Sequence, residues 1–286
     1  MKQTYTQAPL PFMGQKRRWS TDFKTAVLNH FNDCDTFIDL FGGSGLLSYF
    51  TKNIRPDATV VYNDYDGYTE RLAHIEDTNR LLRSLRSILA FCPTDKRIND
   101  PERSKVLTLL NDAEADGIFV DYITLSNSLL FSGKYATNYE QMAAETLYNR
   151  VRTADFQAEG YLDGLRIEHC DYRILLNRYC NIPGVCFVAD PPYLSTQVTP
   201  YKGYWRLTDY LDVLTLLSGT NYIYFTSTKS GLIELCNWIG RQAGTALNPL
   251  DRAEQVSRKT SLNYNAAYTE IMLYKHHSDN QNSFAA

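Results

Sequence analysis

Six short apolar runs, most of them ending at Asp, Gly or Ser/Thr, constrain this 286-residue chain more than any other feature. TFIDLF (36–41), TVVYND (59–64), RIEHCDY (166–172), VCFVADPPY (185–193), YIYFTST (222–228) and EIMLYK (270–275) are rich in β-branched and aromatic residues. Short runs of this kind read as buried strands of a largely parallel sheet. Between several of them apolar residues recur at helical spacing, as with Leu207, Tyr210, Leu211, Val213 and Leu214, and with Leu232, Ile233, Cys236 and Ile239. Alternating strand and helix predicts an open, doubly wound α/β sheet.

The alternation breaks once, between residues 64 and 166, a stretch far longer than a single crossover helix requires. An inserted domain explains the gap. The expected organisation is a main body of residues 1–74 and 161–276, an insertion of 75–160, and a polar tail of 277–286. The insertion opens with a helical run, Leu81, Leu82, Leu85, Ile88 and Leu89. From Arg80 to Lys105 it holds seven basic residues against three acidic ones, on a chain whose net charge is -3. That excess reads either as a solvated helix face or as a surface for a polyanion.

Composition removes several classes of function. With 44% hydrophobic and 21% charged residues the chain is globular, and no run approaches the roughly 18 apolar residues of a membrane span. The first residues, MKQTYTQAPLPFMG, lack the apolar stretch of a secretion signal, so a cytoplasmic location is expected. Six scattered cysteines form no C-x-x-C pair and five histidines no H-x-x-x-H, so neither a metal site nor a disulfide framework is expected.

Two loops carry chemistry. Asp39-Leu-Phe41-Gly-Gly43-Ser-Gly45 follows a predicted strand and precedes an apolar helix start at Leu46, Leu47 and Phe50. Glycines there let backbone approach a ligand, although a tight strand-to-helix turn uses them for steric reasons alone. The next strand ends at Asn63-Asp64, where a carboxylate in a βαβ unit can accept ribose hydroxyls. The pattern is neither G-x-G-x-x-G nor a P-loop, which favours a nucleoside without a pyrophosphate. The second loop is Asp190-Pro191-Pro192-Tyr193. Its two prolines fix the backbone and remove two donors, leaving rigid acceptors that suit an amine, and the tyrosine offers a stacking face for a planar base.

D-L-F-G-G-S-G followed by D-P-P-Y resembles the Dam-type DNA adenine-N6 methyltransferases of the alpha group, the D12 class. Pro11-Phe12-Met13-Gly14-Gln15-Lys16 is similar to that family's aromatic-x-G-G-K cofactor motif, with Gln15 in place of the second glycine. Glu168 to Tyr172 resembles the motif whose aspartate, here Asp171, reads the cofactor adenine, and Tyr268 to Tyr274 resembles the closing strand. The order of these motifs is that of the alpha group, with the target-recognition domain inserted between the glycine loop and D-P-P-Y.

The resemblance implies a seven-stranded, Rossmann-like class I fold with an inserted helical target-recognition domain, and S-adenosylmethionine as cofactor. Phe12, Lys16, Asp39, Phe41, Gly43, Gly45, Asp64, Asp171 and Asp190 would hold that cofactor, and Asp190, Pro191, Pro192 and Tyr193 would act on the base. Duplex DNA is the implied partner, with a cognate restriction enzyme as a further candidate, in a bacterial or phage-infected cytoplasm. Arg17, Arg18, Arg97 and Lys134 are the candidate DNA contacts. Phe131-Ser132-Gly133-Lys134-Tyr135 is the nearest counterpart of an N-G-x-x-R-like recognition segment, and lacks its asparagine. Methylation of cytosine N4, of adenine in RNA or of a protein amide, and a binding-only relic of the fold, are the alternatives. Cytosine-C5 chemistry is disfavoured, since the chain has no Pro-Cys pair to supply a nucleophile.

Overall fold

The computed structural model describes residues 4–192, 206–244, 248–263 and 266–277. In chain order its elements are a 3₁₀ turn at Arg17–Trp19, α1 (Ser20–His30), β1 (Thr36–Asp39), α2 (Leu46–Ile54), β2 (Thr59–Asn63), α3 (Tyr68–Ala73), α4 (Ile75–Ile88), α5 (Glu102–Ala115), α6 (Tyr122–Leu129), α7 (Tyr139–Ala144), β3 (Arg166–Glu168), α8 (Tyr172–Tyr179), β4 (Val185–Ala189), α9 (Leu207–Leu217), β5 (Asn221–Ser227), α10 (Leu232–Ala243), β6 (Glu254–Asn263) and β7 (Ala266–Lys275). They form two compact units, residues 16–66 with 162–286, and residues 1–15 with 67–161. No helix among the described residues is long and apolar enough to cross a membrane.

The first unit is built on a seven-stranded sheet in the order β3-β2-β1-β4-β5-β7-β6. The strands from β3 to β5 run parallel; β7 is antiparallel to both β5 and β6. This is the mostly parallel α/β sheet expected, of the class I methyltransferase type. Every residue of β4 is buried, as a central strand covered on both faces requires. On one face Ile38, Val61, Phe187, Tyr222 and Leu273 pack with Leu175 and Leu176 of α8, Val213 and Leu214 of α9, and Leu232 and Cys236 of α10. Residues of the opposite parity, among them Phe37, Val60 and Phe225, are also buried, and the Phe225 ring packs at a tilt against Phe23 of α1, centroids 6.4 Å apart. All six expected runs contain strands. The seventh, β6, was not anticipated because its sequence, EQVSRKTSLN, is polar and its pairing partner is the neighbouring β7.

The carboxyl ends of three strands are braced by one buried side chain, Asn63. Its Nδ2 donates to the carbonyls of Leu40 (3.0 Å) and Cys170 (2.9 Å), and its Oδ1 accepts from the Cys170 N–H (3.1 Å). These main-chain groups lie just past β1 and β3, where the sheet ladder no longer satisfies them. Asn63→Leu is expected to lower unfolding free energy by about 2 to 4 kcal/mol, because it strands buried polar groups that the amide now serves. Urea denaturation measures this.

The second unit is helical, α3 to α7. It takes in residues 1–15 and 67–74, which the sequence pattern had grouped with the main body. The Tyr68 hydroxyl bonds both the N–H (2.9 Å) and the carbonyl (3.0 Å) of Leu10. Arg71, itself buried, donates to Pro11 O (2.8 Å), Asp121 Oδ2 (3.0 Å) and Thr124 Oγ1 (3.0 Å). The Tyr5 hydroxyl donates to Glu159 O at 3.0 Å, and its ring meets Tyr161 edge-on. The N-terminal segment is thereby sewn to the helices by side-chain to main-chain bonds.

Candidate active site

In an open α/β sheet, ligands collect at the carboxyl ends of the parallel strands. In the sheet unit, most of the chemistry-bearing residues read from the sequence sit there: Asp39 ends β1, Asp64 follows β2, Asp171 follows β3, and Asp190 follows β4.

The glycine loop turns sharply from β1 into α2. Gly43 and Gly45 both have positive φ, +48° and +72°, and Gly45 caps α2 in the left-handed region that favours glycine. Gly42, not singled out from the sequence, is tightly enclosed: a Cβ there would overlap the Tyr62 ring. The Tyr62 hydroxyl in turn donates to Gly43 O at 2.7 Å. The adjacent Gly-Gly pair was the only local signal of this close approach.

Asp39 is buried beneath the loop. Its Oδ2 accepts from the Ser48 hydroxyl at 2.7 Å, while Oδ1 is buried with no hydrogen-bond partner among the described residues. Burial pushes its carboxyl up to about 7; Ser48 opposes this and the charge of Asp190 adds to it. Asp64 is also buried; its N–H donates to Glu168 O (2.8 Å), and its carbonyl lies 2.9 Å from His169 Nδ1. Asp171 caps α8, accepting from the Arg173 N–H at 2.8 Å, and keeps a half-exposed carboxylate paired to the Arg173 guanidinium at 3.2 Å. Beside it the rings of Phe41 and Tyr172 lie 5.0 Å apart.

Asp190 is held by Lys16, whose Nζ lies 2.5 Å from Oδ2; the lysine side chain is only 5% exposed and the aspartate 18%. Burial raises the Asp190 carboxyl above the ordinary range, Lys16 pulls it back down, and Glu270 raises it. The Pro192 carbonyl accepts from the buried Tyr210 hydroxyl, which anchors the Pro-Pro segment to α9 and leaves the Pro191 carbonyl outside that contact. Tyr193 and the following residues to Trp205 lie outside the described residues.

Of the remaining candidates, Phe12, Arg97 and Lys134 belong to the helical unit. Phe12 meets Tyr68 edge-on at 5.8 Å. Gln15 spans its own loop, accepting from Ala8 N (3.2 Å) and donating to Leu10 O (3.2 Å). Lys134 is paired to Glu145 at 2.5 Å. Most of the basic excess is also engaged: Arg83 and Arg86 clamp Asp155, Arg103 donates to Ala143 O, Arg80 faces Asp77 and Lys105 faces Glu102. Lys96 and Arg97 are exposed and form no ion pair among the described residues. In the sheet unit, Arg17 and Arg18 are exposed on the 3₁₀ turn after Lys16. Away from the strand carboxyl ends, Asp33 and Cys34 ahead of β1 gather with His276 after β7, a group that no sequence spacing revealed.

Asp39 provides a pH test. Its unfolded carboxyl ionises near the ordinary value of 3.8, whereas the folded one stays protonated to about 7. Between those values the unfolded state binds fewer protons, so stability falls as pH rises and levels off above 7. The total loss across that window is on the order of 4 kcal/mol for one such group. Asp39→Asn should narrow the difference between urea midpoints at pH 5 and pH 8.

Residues 12–212 match the family of D12 class N6 adenine-specific DNA methyltransferases. A protein of Haemophilus influenzae that carries the provisional name of a methyltransferase is 36% identical over 281 residues, covering 96% of this chain and 94% of that protein. With most of its length matched, and with the strand-end carboxylates and the Asp-Pro-Pro turn in place, the chain belongs to the D12 class of N6 adenine-specific DNA methyltransferases.

Proposed function

We propose that the chain transfers a methyl group from S-adenosylmethionine to N6 of an adenine flipped out of duplex DNA at a specific sequence. The observation that carries this reading is the Asp190 carboxylate at the end of β4, largely buried, ion-paired to Lys16, and followed by two prolines that Tyr210 anchors.

The residues at the neighbouring strand ends fit a nucleoside cofactor. The half-exposed Asp171 carboxylate can accept from an adenine amine beside the Phe41 and Tyr172 rings, and Asp64, just past β2, is assigned to the ribose hydroxyls. The glycine loop admits close backbone approach, and the buried Asp39 Oδ1, without a hydrogen-bond partner among the described residues, lies beneath it. When bound, S-adenosylmethionine supplies an electrophilic methyl group on a sulfonium. Phe12 and Lys16 are assigned to the same cofactor.

The chain's own task is to make an aromatic amine nucleophilic. The N6 lone pair is delocalised into the ring, and accepting both N–H groups, one at Asp190 and one at the Pro191 carbonyl, localises it toward the methyl group. No covalent enzyme intermediate is needed. Unstacking the target base costs a few kcal/mol, and Tyr193 is assigned as its stacking partner.

Duplex DNA or RNA incubated with labelled S-adenosylmethionine and digested to nucleosides tests the reaction. Label should appear in N6-methyladenine of DNA and disappear with Asp190→Ala. Label confined to RNA or to N4-methylcytosine would overturn the substrate assignment, and none at all would turn the chain into a binding protein.

For DNA contact, Arg17, Arg18, Arg97 and Lys134 remain the assignments, with Lys134 sharing its charge with Glu145. Lys96 and Arg97, exposed and without an ion pair among the described residues, are the insertion's most available cations. Replacing both by alanine should weaken binding to specific and random duplexes alike. The salt dependence of log K should flatten by about 2, near 0.9 for each phosphate no longer neutralised. A slope equal to that of the unaltered protein would remove them from the interface.

A further inference from the structure

The closing strand carries a carboxylate that the proposed chemistry does not use. Glu270 on β7 stands in register between Ser227 of β5 and Arg258 of β6. Its Oε2 accepts a hydrogen bond from the indole Nε1 of Trp19 at 3.1 Å. Trp19 has no exposed surface and meets the Phe225 ring edge-on, with centroids 5.6 Å apart. The Trp19 N–H donates to Lys16 O at 2.8 Å, closing the 3₁₀ turn on which the lysine sits. Lys16 then lies 5.6 Å from the centre of the same Phe225 ring and places its ammonium on Asp190 Oδ2.

Each link has a consequence for the acceptor geometry. A lysine side chain has four rotatable bonds, so an ammonium stays on one oxygen of one carboxylate only if its backbone and stem are fixed. Here the backbone is fixed by the turn, the turn by Trp19, and the indole by Glu270 on one edge and Phe225 on another. With Lys16 on Oδ2, the orientation of Asp190 is set, and among the described residues Oδ1 is the oxygen left for another donor.

We propose that Glu270 is a positioning residue for methyl transfer, holding Trp19 so that Lys16 orients Asp190 with Oδ1 presented to the substrate amine. The proposal rests on Asp190 being the amine acceptor. Among the described residues, the charged groups facing Asp190 are Lys16 from the N-terminal turn, Asp39 from β1 and Glu270 from β7. Glu270 therefore acts twice, through the indole bond and through its charge, and the two actions separate by substitution.

Glu270→Leu removes both the acceptor and the charge. Glu270→Gln keeps an acceptor for the indole and removes only the charge, while Trp19→Phe removes the donor and keeps the charge. In the full chain, Glu270→Leu and Trp19→Phe should each lower kcat about tenfold, the order expected for a misplaced catalytic group. The loss should be larger in kcat than in KM, since Asp190 acts on the reacting amine whereas Lys16, Arg17 and Arg18 on the loosened turn serve binding in ground and transition state alike. The combined variant should lose little more than either alone, because both break one link. Glu270→Gln should retain most of kcat and shift the acid limb of its pH profile to lower pH, since a carboxylate that had opposed Asp190 ionisation is gone. Unchanged kcat in Glu270→Leu, a loss that appears only in KM, or a glutamine variant as impaired as the leucine one with an unmoved pH profile would each overturn the proposal. Asp190→Ala run alongside separates the two levels. If it remains active, the reading of the site fails. If it is inactive while Glu270→Leu keeps the kcat of the unaltered protein, this inference alone fails.

Discussion

A single carboxamide sets the geometry on which the site depends. Parallel strands end with main-chain donors and acceptors that their ladder cannot reach, and at the rim of this sheet Asn63 serves three of them. The amide spans from the residue after β1 to the loop after β3, with β2 between them. The glycine loop, Asp64 and the Cys170–Asp171 turn therefore leave the sheet from fixed points. Loops rooted this way can carry chemistry without adding secondary structure of their own.

Electrostatics at the same rim run against stability. Asp39, Asp64 and Asp190 crowd carboxyl groups into a buried region, and Lys16 is the ammonium placed directly on one of them. Burial raises the Asp39 and Asp190 carboxyls, and their mutual charge adds to the effect at Asp39. A chain selected only for stability would replace such groups with apolar ones of similar size. Perturbed carboxyls gathered at strand ends are expected where chemistry is done, and the D12 family membership supplies that chemistry.

The helical unit shows the opposite use of charge. Arg83 and Arg86 share Asp155, Arg71 joins Pro11, Asp121 and Thr124, and Gln15 closes its own loop. Most of these polar groups organise the unit itself, and Gln15 uses its amide for two hydrogen bonds, to Ala8 and Leu10. Lys96 and Arg97 stand apart from this pattern, which is why they bear the DNA-contact assignment more readily than the rest of the basic run.

Much of this was legible along the chain. The β-branched runs at 36–41, 59–64 and 185–193 determined the central strands, because burial on both faces demands apolar residues whatever the neighbours are. The positions of Asp39, Asp64, Asp171 and Asp190 at strand ends followed, as did Gly43 and Gly45 in their turn, since these depend on local backbone alone. Other features were decided by partners far away in sequence. Strand β6 exists because β7 supplies its hydrogen bonds, Asn63 acts through a residue 107 positions on, and Glu270 meets Trp19 across 251 positions. Local pattern determined which segments are strands and where their loops begin; tertiary structure decided which side chains meet, because a hydrogen bond or ion pair depends on distance in space, which sequence separation does not set.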